Sequence, residues 1–271
     1  MGNNPSLYKY YSSSQFKKDS VVVITGGCSG MGRELVNRYA HRGCKVVIAD
    51  RQHDRFKQIQ EECYTQFGNA NVLGVPCDVT DEDQTKKVIE EAVKKFGTID
   101  LLVLAAGISA HAPFEDYKDM ATFRKVVEVN LYGCVYLTRY ALKYLKKENR
   151  TDKSKGHIVV FSSFSGEFGL PSRSSYCASK FAVNGFFESL RMEVGESIDI
   201  TTICPVTVQT EFRQNSLIKS EQRAEDAAEG STITVKEAVD EIIVAADHRI
   251  PKLIFPFKPW LAVQLKNAMP N

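Results

Sequence analysis

The chain has 271 residues, of which 43% are hydrophobic and 25% charged, with a formal net charge of +2. This is ordinary globular composition without a basic tract, which argues against a nucleic-acid-binding protein. No stretch reaches the ~18 apolar residues of a membrane span, and the seven scattered cysteines form no C-x-x-C pair. We therefore expect a cytoplasmic protein without a metal site.

The first residues contain a candidate lipid-attachment signal. Residues 1–6 match the M-G-x-x-x-[ST] pattern for N-myristoylation at Gly2, a short pattern that also arises by accident. A single acyl chain would anchor the protein only weakly. We treat residues 1–20 as an N-terminal extension and residues 21–271 as one domain, because no Pro/Gly/Ser-rich linker divides the chain.

Strand and helix patterns alternate from residue 21 onward. The predicted strands, mostly short runs of aliphatic and β-branched residues, lie at 21–24, 46–49, 101–104, 158–161, 199–204 and 252–255. The predicted helices lie between them at 33–42, 55–67, 83–96 and 120–147, and a further one begins near residue 176. This alternation predicts an α/β fold: a single-domain Rossmann fold whose doubly wound parallel sheet has about seven strands, with helices on both faces.

The segment after the first predicted strand is rich in glycine. Residues 25–32 have the sequence TGGCSGMG and lead into a helix. Glycines permit a tight turn and the close approach of a pyrophosphate, whose charge a helix N-terminus stabilises, although such clusters also occur in purely structural turns. Asp50 ends the second strand, where its carboxylate could accept hydrogen bonds from an adenosine ribose or could simply begin a turn. Together the two features favour a dinucleotide site.

Asp50 also bears on the choice of dinucleotide. A carboxylate ~4 Å from the 2′-phosphate of NADP(H) would repel it by roughly a few kcal/mol. NAD(H) is therefore favoured over NADP(H). Arg51 follows directly and could pair with the same phosphate, whereas Ser29 places no positive charge in the glycine loop.

Tyr176 and Lys180 stand four residues apart in a predicted helix and therefore share one face. A free tyrosine has a pKa of ~10, so its use as an acid or base near neutral pH requires selective stabilisation of the phenolate. A neighbouring ammonium group supplies that stabilisation. The bare pair also occurs by chance, so its meaning depends on the other motifs.

Taken in order, these motifs resemble the short-chain dehydrogenase/reductase family over residues 21–244. The family's loop pattern T-G-x-x-x-G-x-G matches residues 25–32, and its D-V-T motif matches residues 78–80. The family's helix asparagine matches Asn130, and its carbonyl-positioning serine, thirteen residues before the tyrosine, matches Ser163. Ser162 is the neighbouring, weaker candidate.

The resemblance implies hydride transfer between a nicotinamide and a carbinol carbon. Tyr176 would be the general acid or base, and Ser163 would bind the substrate oxygen. Lys180 would lower the tyrosine pKa and hold the ribose, and Asn130 would hold a water in a proton relay. The cofactor-binding residues that the resemblance implies are Gly26, Cys28, Ser29, Gly30, Met31, Gly32, Asp50, Arg51, Asp78, Val79, Ala106, Gly107, Tyr176, Lys180, Pro205, Val208 and Thr210.

Two positions depart from the family pattern. Ala105 stands where the family usually has the asparagine of N-A-G, which removes a side-chain amide that braces the sheet. Val206 stands where the family has the glycine of P-G-x-x-x-T. Because a β-branched residue does not comfortably adopt a positive φ, we expect the turn after the sixth strand to be reshaped.

The substrate is expected to be a small apolar alcohol or ketone. Phe164, Phe168 and Leu170 follow Ser163, and the segment 250–271 is apolar enough to cover a pocket, to pack on the protein's own surface or to make peripheral contact with a membrane. The polar residues 211–234 are expected to form a substrate lid. Residues 179–187 are similar to the same part of family members that act on steroids. Residues 114–116, with 169–170, are similar to reductases of long-chain keto-sphingoid bases. Retinoids and fatty carbonyls belong to the same apolar class.

Two alternatives stay open. A sensor or scaffold that binds NAD(P) without catalysis would be compatible with the changes at Ala105 and Val206. A membrane-associated lipid ketoreductase would carry out the same chemistry at a different location. For the oxidoreductase, whether or not it contacts a membrane, the resemblance implies a homodimer or homotetramer. The copies would pair through helices 120–147 and 176–194.

Overall fold

The computed structural model describes residues 16–212, 214–218 and 232–268. Seven parallel strands form one sheet in the order β3-β2-β1-β4-β5-β6-β7. The strands are β1 (Val21–Thr25), β2 (Lys45–Asp50), β3 (Val72–Pro76), β4 (Leu101–Leu104), β5 (Gly156–Phe161), β6 (Ile198–Pro205) and β7 (Lys252–Phe255). The helices are α1 (Gly30–His41), α2 (Phe56–Phe67), α3 (Glu82–Phe96), α4 (Ala121–Val127), α5 (Gly133–Leu145), α6 (Ser174–Val194), α7 (Val235–Asp247) and α8 (Phe257–Ala268). The expected doubly wound Rossmann sheet is confirmed.

Both faces of the sheet are covered, as the apolar strands predict. Along β1, Val22 and Ile24 pack in a cluster with α1, α2 and α7, whereas Val23 faces α3, α5 and α6. Successive side chains of a strand point to opposite faces, so a strand covered on both sides must be apolar throughout. All five residues of β1 are buried.

The strand order places a crevice at one edge of the sheet. β1 lies between β2 and β4. The strands β2 and β3 are therefore added on one side of β1, and the strands β4 to β7 are added on its other side. The helices that follow β1 and β4 therefore lie on opposite faces of the sheet, and such a switch point is where doubly wound sheets bind ligands.

Several elements differ from the sequence prediction, which also named no helix at α8. Strand β3 was not predicted, because Gly74 and Pro76 interrupt its apolar run. Helix α7, which begins with a capping box between Thr234 and Glu237, was also missed. The helix predicted over 120–147 is divided: a π-helical turn, Glu128–Tyr132, separates α4 from α5.

Apolar residues near both ends of the described chain pack on the domain. Phe16 is buried and its ring lies 6.3 Å from that of Tyr39. In α8, Val263 packs against Cys204 and Ile254, while Leu261 and Leu265 are exposed. Among the described residues, every helix is too short or too polar to cross a membrane. The myristoylation motif at residues 1–6 lies outside the described part.

All seven cysteines are free and buried. Burial raises the pKa of Cys28, Cys77 and Cys204, in each case to about 12. These thiols therefore behave as small core residues rather than as nucleophiles. Within the described ranges, no cluster of His, Cys, Asp and Glu side chains is suited to a metal ion.

His157 is a fully buried titratable group near the amino end of β5. Its Nε2 lies 2.8 Å from Thr201 Oγ1, and its ring packs beside that of Phe16. Burial, with a further contribution from the positive charge of Arg249, lowers the pKa of His157 to about 3. The ring is therefore neutral in the folded protein.

We predict that His157 makes the fold sensitive to mild acid. Below about pH 6.5 the unfolded chain takes up a proton that the folded state refuses, so stability falls as the pH falls towards about 3. Between pH 7.5 and 5 this group alone should lower the free energy of unfolding by about 2 kcal/mol. Urea unfolding of His157→Gln should show a correspondingly flatter pH dependence, whereas replacement of the exposed His53 by Gln should not. Parallel profiles for wild type and His157→Gln would contradict the assignment.

Candidate active site

Two close backbone contacts shape the glycine loop between β1 and α1. Gly26 has a φ of +67°, and a Cβ there would lie 3.0 Å from the Cα of Ala106. A Cβ at Gly32 would lie 2.2 Å from the carbonyl oxygen of Gly26. Side chains are excluded at both positions, so bare backbone meets the amino end of α1. This cradle fits the pyrophosphate of a dinucleotide.

Thr25 joins the loop after β1 to the loop after β4. Its hydroxyl oxygen accepts hydrogen bonds from the backbone N–H groups of Ala105, at 3.0 Å, and Ala106, at 3.1 Å. These bonds hold the end of β4 at the position where Ala105 offers no side-chain amide. The sheet is thus braced at this edge despite the departure from the family pattern.

Asp50 lies against the glycine loop. One carboxylate oxygen accepts from the N–H of Cys28 and the other from the N–H of Gln52, both at 3.0 Å. Arg55 returns to the same loop, where its guanidinium donates to the carbonyl oxygen of Cys28 at 3.2 Å. Arg55 was not predicted from the sequence, because nothing in its spacing shows that the turn after β2 folds back onto the loop.

Asp78 and Arg51 lie side by side just beyond the carboxyl ends of β3 and β2. The carboxylate of Asp78 accepts from the N–H and the hydroxyl of Thr80, at 2.9 and 2.7 Å. Burial opposes the charge of Asp78, but the hydrogen bonds from Thr80 and the charges of Lys125 and Arg51 outweigh it and lower the pKa of Asp78. Arg51 lies 3.9 Å from this carboxylate, so part of its positive charge is already compensated.

Asn130 is fully buried in the π-helical turn between α4 and α5. Its amide oxygen accepts from the N–H of Ile108, and its nitrogen donates to the carbonyl of Ile108 and to Ser179 Oγ. Asn130 therefore fastens the chain after β4 to helix α6. Its role in a water relay stays a prediction, whereas this bracing role was not foreseen from the sequence.

Tyr176 and Lys180 meet on the inner face of α6. Both are buried, and Lys180 Nζ lies 5.7 Å from the centre of the Tyr176 ring. The same nitrogen donates to the carbonyl oxygen of Phe161 at 2.7 Å. Burial lowers the pKa of Lys180. A positive charge at this position costs free energy that a phenolate, or another nearby negative group, would offset.

The two candidate serines have different surroundings. Ser162 Oγ donates to the carbonyl oxygen of Lys180 at 3.4 Å, so it faces the backbone of α6. Ser163 follows it in extended conformation, and its Oγ accepts from the N–H of Ser165 at 3.1 Å. Ser163 thus begins the turn beyond β5, and its role in binding the substrate oxygen stays a prediction.

A group of polar side chains from α6, β7 and α8, which was not predicted from the sequence, holds this turn in place. Asn184 donates to the carbonyl of Gly166 at 3.0 Å and to the carboxylate of Glu167 at 2.8 Å. Lys252 of β7 forms an ion pair with the same carboxylate at 2.9 Å. Lys266 of α8 donates to the Glu167 carbonyl at 2.7 Å. Asn184 follows Lys180 by four residues, and that spacing was the available signal.

The chain after β6 accommodates Val206 without backbone strain, while its reshaping relative to the family stays a prediction. Val206 has no positive φ, and its N–H donates to the carbonyl of Phe255, which carries the β6–β7 pairing one residue further. Val208 then pairs with Ile233. Thr210 is thereby brought to the glycine loop, where its methyl group lies 3.4 Å from a Cβ built on Gly30. Much of the predicted lid, at 213 and 219–231, lies outside the described residues.

Comparison with known proteins gives a consistent result. A family model described as short chain dehydrogenase matches residues 20–221. The chain is 35% identical over 258 residues to "Dehydrogenase/reductase SDR family protein 7-like" of Dictyostelium discoideum, covering 94% of this chain and 79% of that protein. It is also 35% identical over 226 residues to "11-beta-hydroxysteroid dehydrogenase A" of Sesamum indicum. That match covers 81% of this chain but only 63% of the sesame protein.

Solved structures share the fold at low sequence identity. A short chain dehydrogenase/reductase from Burkholderia phymatum in complex with NAD superposes with a TM-score of 0.82 at 22% identity, over 93% of this chain and 94% of that one. An alcohol dehydrogenase from Thermococcus sibiricus complexed with 5-hydroxy-NADP gives 0.75 at 21% identity, over 88% and 96% of the two chains. One neighbour thus holds NAD and the other an NADP derivative.

Replacement of Gly32 by Ala tests the cradle. A Cβ 2.2 Å from the Gly26 carbonyl forces the loop open, so we expect the free energy of unfolding to fall by about 1–3 kcal/mol. NADH binding, followed by its fluorescence, should weaken about tenfold or more as the pyrophosphate loses its N–H donors. Gly185→Ala in α6 is the matched control, because a Cβ there meets nothing within 4 Å. Unchanged NADH affinity in Gly32→Ala would exclude this loop as the binding site.

Proposed function

This chain belongs to the short-chain dehydrogenase family, and we propose that it uses NAD(H) to interconvert a small apolar secondary alcohol and its ketone. The observation that carries the proposal is the buried Tyr176–Lys180 pair beside the carboxyl ends of β4 and β5. In such a reaction the nicotinamide supplies or accepts the hydride. The residues of the chain then have to bind the dinucleotide, orient the substrate and move one proton.

Tyr176 is proposed to exchange the hydroxyl proton of the substrate at its phenolic oxygen. Lys180 stabilises the phenolate, because its ammonium group is held next to the ring by the carbonyl of Phe161. Ser163 donates a hydrogen bond to the substrate oxygen. Asn130 keeps α6 in register with the chain after β4 and, in the proposed relay, holds a water.

The preference for NAD(H) is proposed from the charges around the glycine loop. Two backbone N–H groups hold Asp50 in place, so its negative charge cannot easily turn away from an incoming 2′-phosphate. The nearby cations are partly compensated: Arg51 lies beside Asp78, and Arg33 forms an ion pair with Glu62. Arg55 is the remaining candidate for a phosphate partner on this side of the loop.

The proposed substrate is a steroid, or a retinoid, sphingoid or fatty carbonyl of similar apolar character. Phe164 and Phe168 stack with their ring centres 4.9 Å apart just beyond Ser163. Both rings, like Trp260, pack against the apolar cluster of Cys204, Ile254 and Val263. An apolar wall at this position favours an apolar substituent on the carbonyl carbon. The name of the sesame relative, an 11-beta-hydroxysteroid dehydrogenase, agrees with a steroid.

Two further expectations remain proposals. Phe181 and Met192 are exposed on α6, which supports pairing of two or more copies through the long helices. The exposed Leu261 and Leu265 of α8 would be the contacts of a peripheral membrane protein. A non-catalytic sensor receives less support, because Thr25 braces the position left by Ala105 and the turn at Val206 is well hydrogen-bonded.

Tyr176→Phe tests the proton-transfer role. Loss of the hydroxyl should abolish turnover of a steroid ketone with NADH, while the dissociation constant for NADH changes by less than about threefold, since the phenol oxygen acts on the substrate. Tyr64→Phe, which alters a largely exposed tyrosine on α2, is the matched control. Activity close to wild type in Tyr176→Phe would reject the assignment. NADH binding by wild type without turnover of any carbonyl would favour the sensor.

Asp50→Asn tests the cofactor preference. Removal of the carboxylate charge should raise the ratio of kcat/KM for NADPH to that for NADH by about tenfold or more, because the repulsion of the 2′-phosphate is lost. Asp54→Asn removes the same charge from an exposed position in the following turn and should leave the ratio unchanged. A wild type that already prefers NADPH would overturn the proposed use of NAD(H).

A further inference from the structure

The first turn of helix α6 carries the proposed catalytic tyrosine. The helix begins at Ser174, so Tyr176 lies within its first turn. The backbone N–H groups of a first turn lack partners within the helix and are usually held by a capping side chain. Within the described part of the chain, Arg173 precedes the helix and makes no side-chain hydrogen bond that caps it. The position of this turn therefore depends on contacts with other parts of the protein.

One such contact lies on the carboxyl side of Tyr176. The hydroxyl group of Ser179 donates to the carbonyl oxygen of Tyr176 at 2.7 Å. The same hydroxyl oxygen accepts from the side-chain amide of Asn130 at 2.9 Å. Ser179 is fully buried, so these two hydrogen bonds tie the backbone of Tyr176 to the π-helical turn between α4 and α5.

A second contact lies on the amino side of Tyr176, at Ser175. The hydroxyl oxygens of Tyr117 and Ser175 lie 2.8 Å apart and share a hydrogen bond in which either group can donate. Ser175 is fully buried and Tyr117 is half-buried. Tyr117 belongs to the chain between β4 and α4, 58 residues before Ser175, and this contact was not predicted from the sequence.

The ring of Tyr117 is itself held among aromatic side chains. Its centre lies 5.5 Å from that of Phe114, and the Phe114 ring meets that of Phe123 edge to face at 6.4 Å. Phe123 lies on α4, which packs against α6. The N–H of Tyr117 donates to the carbonyl oxygen of Phe114 at 3.2 Å. Because ring and backbone of Tyr117 are already fixed, its hydroxyl group loses little further freedom by bonding to Ser175.

We propose that Tyr117 is a positioning residue whose hydrogen bond to Ser175 holds the first turn of α6, so that the Tyr176 ring stays beside the ammonium group of Lys180. The inference rests on the proposed function and deepens it, because it names a residue that acts on proton transfer through Tyr176. The centre of the Tyr176 ring lies 5.7 Å from Lys180 Nζ. The attraction between a phenolate and an ammonium group weakens with distance. A first turn released at its amino side would therefore stabilise the phenolate less well.

Kinetics of Tyr117→Phe, Ser175→Ala and the double variant test this inference. The assay uses NADH and the ketone that the wild type reduces fastest among steroid, retinoid, sphingoid and fatty carbonyls. Each single variant removes the same hydrogen bond, so kcat should fall by roughly three- to tenfold. The double variant should fall no further, because the two hydroxyl groups act as one unit. KM for the ketone and Kd for NADH should stay within about twofold of wild type. Tyr64→Phe, at a largely exposed tyrosine, should match wild type.

The pH profile of alcohol oxidation separates positioning from a general loss of structure. In this direction Tyr176 acts as the base, so kcat rises with pH as the phenol loses its proton. Lys180 is the charged group beside the ring, and the ring of Phe212, centred 5.9 Å away, is apolar. Weaker stabilisation by Lys180 should move the rising limb of the profile to higher pH in Tyr117→Phe and in Ser175→Ala. A loss of folded protein would lower kcat at every pH without moving that limb.

The other outcomes separate this inference from the proposed function. A wild-type kcat in Tyr117→Phe, a lower kcat with an unmoved limb, or additive losses in the double variant would overturn the positioning role and leave the proposed function intact. A higher KM at unchanged kcat would also overturn it, since Tyr117 would then act on substrate binding. A wild type that reduces no carbonyl with either NADH or NADPH would overturn the proposed function and this inference together.

Discussion

The site depends on how closely two stretches of backbone approach each other at the carboxyl edge of the sheet. The loop after β1 lies directly against the chain after β4, with Gly26 over Ala106 and the start of α1 over Gly26. Thr25 locks this arrangement through two hydrogen bonds. Because no side chain intervenes, the glycine loop and the chain leading to Gly107 lie side by side, and the proposed dinucleotide cradle shares one crevice with the candidate pair on α6.

The second requirement is that buried polar groups be satisfied before any substrate arrives. Lys180 is held by a backbone carbonyl, and all three hydrogen bonds of the Asn130 side chain go to the chain itself. Burying such groups without partners would cost more than their contacts return. Asn130 lies within the π-helical turn, and π turns of this kind recur at functional sites.

Much of this could be predicted from the sequence, since continuous aliphatic strands alternating with helices have few architectures available. The glycine loop, Asp50 and the Tyr176–Lys180 pair follow from local spacing. What escaped prediction depends on distant contacts. In strand β3, Gly74 packs closely on Phe56 of α2, a contact that the strand's own residues do not indicate. The hydrogen bond from Arg55 to the glycine loop likewise joins residues that are far apart in the sequence.

The packing of Phe16 has a geometric consequence for anything joined to the front of the chain. Phe16 lies beside Tyr39 and His157, and Lys17 accepts a hydrogen bond from Cys44, so the chain enters the domain at the amino edge of the sheet. The crevice opens at the carboxyl edge, about 16 Å away along a five-residue strand. A group attached at residue 16 itself thus has its anchor point at the edge of the sheet opposite the candidate site.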